Sequence, residues 1–100
     1  MLLTGEAIDA ATALRIGLVN RVVPAASLLD EARALAGRIA GNAPLAVRSA
    51  RAAALRGLHM PLVEGLCLEQ LYAEPLRTTE DAGEGVRAFI EKRPPEFKGR

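Results

Sequence analysis

Few side chains in this sequence have the type and spacing that chemistry requires. His59 and Cys67 are the only histidine and cysteine among 100 residues, and a base with a thiol is one route to nucleophilic catalysis. His59 falls in a loop beside Pro61, whereas Cys67 falls on an apolar helical face, so a structural histidine and a core cysteine are expected. One of each cannot build a metal site, and no metal ligand is expected. Glu64 and Glu69 could serve as acid and base, but at that separation on a helix they point about 140° apart. They read as solvent-facing or capping residues. Glu80, Asp81 and Glu84 fall where a helix begins, and its positive end accounts for them better than proton transfer does. A glycine-rich phosphate loop, a CxxC pair, GxSxG and HExxH are all missing, so no catalytic residue is assigned.

The cationic residues offer more. Arg48 and Arg51 lie three apart, with Arg56 beyond them, and read as a solvated outer face rather than a phosphate site. Phe89 and Lys92 are also three apart. A flat hydrophobe and an ammonium on neighbouring helical positions can jointly meet an aromatic base and its phosphate. On spacing alone, a core Phe beside an exposed Lys is the better reading.

The elements that position these residues are mostly helical. Asp9 caps a short helix over about residues 10–16, closed by Gly17. Leu18 to Val23 is β-branched and ends at Pro24, so it favours an extended conformation. The sequence offers no second strand to pair with it. Ser27 with Asp30 resembles a capping box, opening a helix that runs to about Ala40. Gly41-Asn42-Ala43-Pro44 punctuates the chain, with Asn42 or Ala43 as the next cap. A third helix then continues to about Arg56 and stops at Gly57. From Pro61 to about Leu76 apolar residues surround the helix, which predicts burial on two sides. Thr78-Thr79-Glu80-Asp81 opens a last helix whose inner face is Ala82, Val86, Phe89 and Ile90, and Arg93-Pro94-Pro95 ends it. Glu96 to Arg100 is a polar tail with one aromatic anchor, Phe97.

Composition sets the outer bounds. The sequence is 50% apolar but 3% aromatic without Trp, so one modest core of Leu, Ala, Val and Ile is expected. Thirteen basic residues against twelve acidic ones leave a net charge of +1, too weak a field to steer the chain to nucleic acid or a membrane. A single cysteine requires no oxidising compartment, and neither a transmembrane run nor a secretory leader is visible, so the default location is cytoplasmic.

Two blocks point to a family. Leu3-Thr4-Gly5-Glu6-Ala7-Ile8-Asp9-Ala10, running into Ala13-Leu14-Arg15-Ile16-Gly17-Leu18-Val19-Asn20-Arg21-Val22-Val23-Pro24, resembles the segment following the active site in the enoyl-CoA hydratase/isomerase, or crotonase, family. Thr79-Glu80-Asp81-Ala82, then Glu84-Gly85-Val86-Arg87-Ala88-Phe89-Ile90-Glu91-Lys92-Arg93-Pro94, then Phe97 and Gly99-Arg100, is similar to the C-terminal signature of that family. Asn42-Ala43-Pro44-Leu45-Ala46 fits the helix start between them.

The resemblance implies a mostly α fold: the helical, trimerisation-type C-terminal region of a crotonase-like α/β spiral, about five helices with one short extended segment. It implies a connecting segment over residues 1–24 and a helical assembly domain over 25–100. Family members stabilise a thioester enolate with two backbone N–H groups, and true hydratases use two glutamates to add water to a trans-2-enoyl-CoA, giving 3-hydroxyacyl-CoA. Those residues lie upstream in the family, and nothing here matches them. What the resemblance does imply is a CoA contact through Phe89 and Lys92, an acyl-CoA substrate for the parent enzyme without a tightly bound cofactor, and a homo-oligomer. Family sequences continue upstream through an apolar helix where this chain begins, and the unpartnered extended stretch agrees with truncation. The alternative is a stand-alone, non-catalytic helical module that associates with full-length relatives.

Overall fold

Local capping chemistry decides where most of the helices begin and end. In the computed structural model, which describes all of residues 1–100, the elements are α1 (Ala10–Arg15), α2 (Leu28–Ala40), α3 (Pro44–Gly57), α4 (Leu62–Ala73) and α5 (Glu80–Glu91). Two 3-10 turns, Ala25–Ser27 and Glu74–Thr78, complete them, and there is no strand. The chain divides into two compact units, Met1–Ala34 and Leu35–Arg100.

In the first unit the Asp9 carboxylate accepts from the Thr12 N–H at 2.7 Å, which satisfies a free donor and starts α1. Gly17, at φ 75°, closes it: its N–H donates to Leu14 O at 3.1 Å and that of Leu18 to Ala13 O at 2.9 Å. This is the paired closure in which a left-handed residue returns the chain onto the last turn. Leu18 to Val23 forms no strand, as expected of a stretch with nothing to pair with. The capping box expected at Ser27 is not made. After extended Pro24, the turn Ala25–Ser27 already curls into helix, and the Ser27 N–H donates to Pro24 O at 2.9 Å.

In the second unit Asn42 closes the preceding helix rather than capping the next. Its side-chain amide donates to Arg38 O at 2.7 Å, and Ala43 takes the cap position of α3 without a side-chain bond. Pro44 then fits the first turn of α3. The helix expected over 61–76 ends earlier, at Ala73. Pro75 lacks the N–H that would continue the ladder, and a 3-10 turn takes over. Thr79 opens α5 by accepting from Ala82 N at 3.1 Å while its hydroxyl donates to Leu76 O at 2.7 Å.

Burial departs from expectation. Helix α4 packs on α3 through the half-buried Gly65, Leu68 and Tyr72, and Arg56 lies 5.6 Å over the Tyr72 ring. Leu62, Val63, Leu66 and Leu71 are exposed, and so is Cys67, which is therefore not a core residue. The expected inner face of α5 also fails: Val86, Phe89 and Ile90 are exposed, and the buried residues are Asp81 and Ala88, at 3% and 2% exposure. The physical reason is shared. Apolar residues surround α4 and stripe α5, but these 100 residues supply a neighbour for only one side of each. Ala13 and Ala88 are the only buried apolar residues.

Candidate functional site

The end of α5 concentrates the unusual features. Phe89, on its last turn, is 85% exposed. Three residues on, Lys92 terminates the helix at φ 53°, ψ 40°, the one left-handed position in the chain that is not glycine. Its N–H donates to Phe89 O at 3.4 Å and that of Arg93 to Ala88 O at 3.1 Å, the same paired closure that Gly17 makes in α1. A side chain in this region costs roughly 1–2 kcal/mol against glycine. The Lys92 ammonium is exposed and enters none of the chain's ion pairs.

Residues on both sides hold this turn. The Arg93 guanidinium forks onto Glu84, with Nη1 donating to Oε1 at 2.6 Å and Nη2 to Oε2 at 3.1 Å. Its Nε donates to Glu91 Oε2 at 2.6 Å. Glu84 also accepts from the Glu96 N–H at 3.0 Å and from Arg87 Nη2 at 3.3 Å. The Arg93 hydrogen bonds, with the Glu96 N–H beside them, hold the Glu84 carboxyl at a pKa of about 2, well below its usual value.

A second carboxylate fixes the tail. Buried Asp81 accepts from the N–H groups of Lys98 at 2.6 Å and Gly99 at 2.8 Å, while its own N–H donates to Arg100 O at 3.1 Å. Gly99, at φ 76°, brings the tail against the Pro44 ring. Phe97 lies over Gly85, and both join Ala46, Val86 and Phe89 around an apolar cavity of about 410 Å³.

Of the residues the sequence singled out, Phe89 and Lys92 share this helix end. His59 sits in the turn after α3, and Glu64 and Glu69 are exposed on α4. Arg48 and Arg51 are exposed on α3. The Asp81 clamp and the Glu84 to Arg93 fork were missed. The positive helix end accounts for acidic residues in the first turns without any such clamp, and of the three only Glu80, paired with Arg100 at 3.1 Å, remains on the surface. A polar tail directly after the Pro94-Pro95 pair is the available signal that carboxylates on the helix could return the chain.

Comparison with known proteins finds relatives along the whole chain. The family model described as enoyl-CoA hydratase/isomerase matches residues 1–100. The (E)-benzylidenesuccinyl-CoA hydratase of Thauera aromatica is 50% identical over 99 residues, covering 99% of this chain and 39% of the relative. The 2,3-dehydroadipyl-CoA hydratase of Escherichia coli is 41% identical over 100 residues, all of this chain and 39% of the relative. The crystal structure of an enoyl-CoA hydratase from Bacillus anthracis superimposes with a TM-score of 0.94 at 42% identity, covering 98% of this chain and 38% of that one. The chain thus spans about two fifths of the length of the curated relatives it matches. With five helices, no strand and a match along its whole length, the chain belongs to the enoyl-CoA hydratase/isomerase family.

Proposed function

We propose that this chain is the CoA-contacting, assembly-forming helical region of an enoyl-CoA hydratase, whose whole protein would reversibly hydrate a trans-2-enoyl-CoA to the 3-hydroxyacyl-CoA. The observation that carries this reading is the exposure of Phe89, 85% free on a helix end that also presents an unpaired ammonium. Within these 100 residues the Phe89 ring is not used in a core. Its ring offers a face on which the adenine of CoA can stack. Lys92, a compact point charge without a protein partner, is suited to a CoA phosphate. On this reading, proton transfer and enolate stabilisation are assigned to other parts of the protein.

Assembly is supported by exposed apolar faces. Leu62, Val63, Leu66 and Leu71 on α4 are exposed, as are Val86 and Ile90 on α5. Burying such faces against the remainder of the protein and against further copies of it would make a homo-oligomer. The soluble acyl-CoA pool is the expected partner, with the cytoplasm as the compartment.

The test is Lys92→Ala in the full-length protein, read as CoA affinity by calorimetric titration. A charge-assisted contact to phosphate is expected to be worth roughly a tenfold loss of affinity. Unchanged affinity would overturn the CoA assignment. Light scattering over a wide concentration range tests assembly, and a clean monomer throughout would overturn it.

A further inference from the structure

We infer that Glu84 is a positioning residue for the ligand-facing ammonium: by gripping Arg93 with both carboxylate oxygens it holds the left-handed turn at Lys92 and so aims the Lys92 side chain. The inference rests on the reading of Lys92 as a CoA contact and adds a residue that touches no ligand itself.

Three observations carry it. First, Lys92 occupies a conformation its type disfavours, and such a conformation persists only where the surroundings over-determine it. Second, the surroundings do so on both sides of the residue. Upstream lies the regular helix α5, with Glu91 as its last residue; downstream, Arg93 is fixed through its backbone N–H to Ala88 and through its guanidinium to Glu84 and Glu91. The two-oxygen fork fixes the plane of the guanidinium as well as its distance, which a single point contact would not. Third, Glu84 is the only residue that links α5 both to Arg93 and to the tail at Glu96, so the turn between them cannot swing without breaking the shared carboxylate. Its side chain is 12% exposed against 38% for Arg93, so the carboxylate is the more enclosed half of the fork. At the corresponding closure of α1, Gly17 needs no such fork.

A role in aiming Lys92 differs measurably from a role in merely holding the tail. The experiment is a double-mutant cycle in the full-length protein, with CoA as the probe and binding read by calorimetric titration. Glu84→Gln, which keeps the shape but removes the charge, is expected to weaken CoA about three- to tenfold. In the Lys92→Ala background the same change is expected to cost less than about twofold, because there is no ammonium left to aim. An equal loss in both backgrounds, or no loss in the first, overturns the inference while leaving the CoA reading intact. If Lys92→Ala alone leaves affinity unchanged, the CoA reading falls and the inference falls with it. Should Glu84→Gln fail to fold, Arg93→Lys supplies the same cycle, since it keeps the charge and loses the fork. Loss of affinity confined to the Lys92 background is again the expected result, and equal loss in both again overturns it.

Discussion

Helices α1 and α5 end with the same pair of backbone hydrogen bonds, yet one uses Gly17 and the other Lys92 at the left-handed position. At Gly17 the turn is free of strain and no side chain is recruited to keep it. At Lys92 the turn is strained, and two glutamates, Glu84 and Glu91, converge on Arg93, the next residue. The difference teaches that helix closure alone does not need Lys92. A lysine kept where glycine would close the helix more cheaply points to a task for its side chain.

The largest expected effect tests whether the tethered end is held as a unit. Asp81→Ala leaves the N–H groups of Lys98 and Gly99 without their buried acceptor and is expected to cost about 2–3 kcal/mol in urea unfolding. Amide exchange at residues 96–100 should rise with it, and exchange around α1 should not. Next, Gly17→Ala places a Cβ at φ 75° and is expected to cost about 1 kcal/mol, read as a lower denaturation midpoint. Lys92→Gly should do the opposite and gain about 0.5–1 kcal/mol, because relief of the strained turn outweighs the added freedom of the unfolded glycine. A loss at that position would end the comparison between the two closures.

The smallest effect is a slope in pH. Glu84 has a folded pKa of about 2 against an ordinary 4.5, so it binds protons less readily folded than unfolded. Its contribution is fully present above pH 4.5 and drains away as pH falls toward 2. Glu84→Gln removes that slope, so the stability difference between wild type and variant should narrow as pH drops from 5 to about 2. Arg93 stays protonated throughout, since Glu84 and Glu91 raise its pKa further.

Much of the fold was legible because it is local. Asp9, Gly17, Pro44 and Thr79 mark their helix ends by capping chemistry that acts within a few residues. Ser27 misled because a proline-initiated turn already satisfied its neighbourhood, and Pro75 ended α4 inside an apolar pattern that ran on to Leu76. Burial was less legible. Periodicity shows that Phe89, Ile90 and Leu71 form apolar faces, but the partner of such a face need not lie in the same 100 residues. At the proposed site, Phe89 and Lys92 stand out through the family resemblance and not through spacing alone, whereas nothing in the sequence marks the fork. Arg93 lies beyond the helix end, so its approach to Glu84 depends on the turn that Lys92 makes, and a lysine carries none of the sequence signal that a glycine there would have given.

The most direct test sets stability against binding at one residue. Lys92→Gly in the full-length protein is expected to raise the thermal midpoint while weakening CoA by roughly tenfold, two changes of opposite sign from one substitution. CoA affinity unchanged beside a raised midpoint would show that the strained lysine serves no ligand, and would contradict the assignment of this helix end.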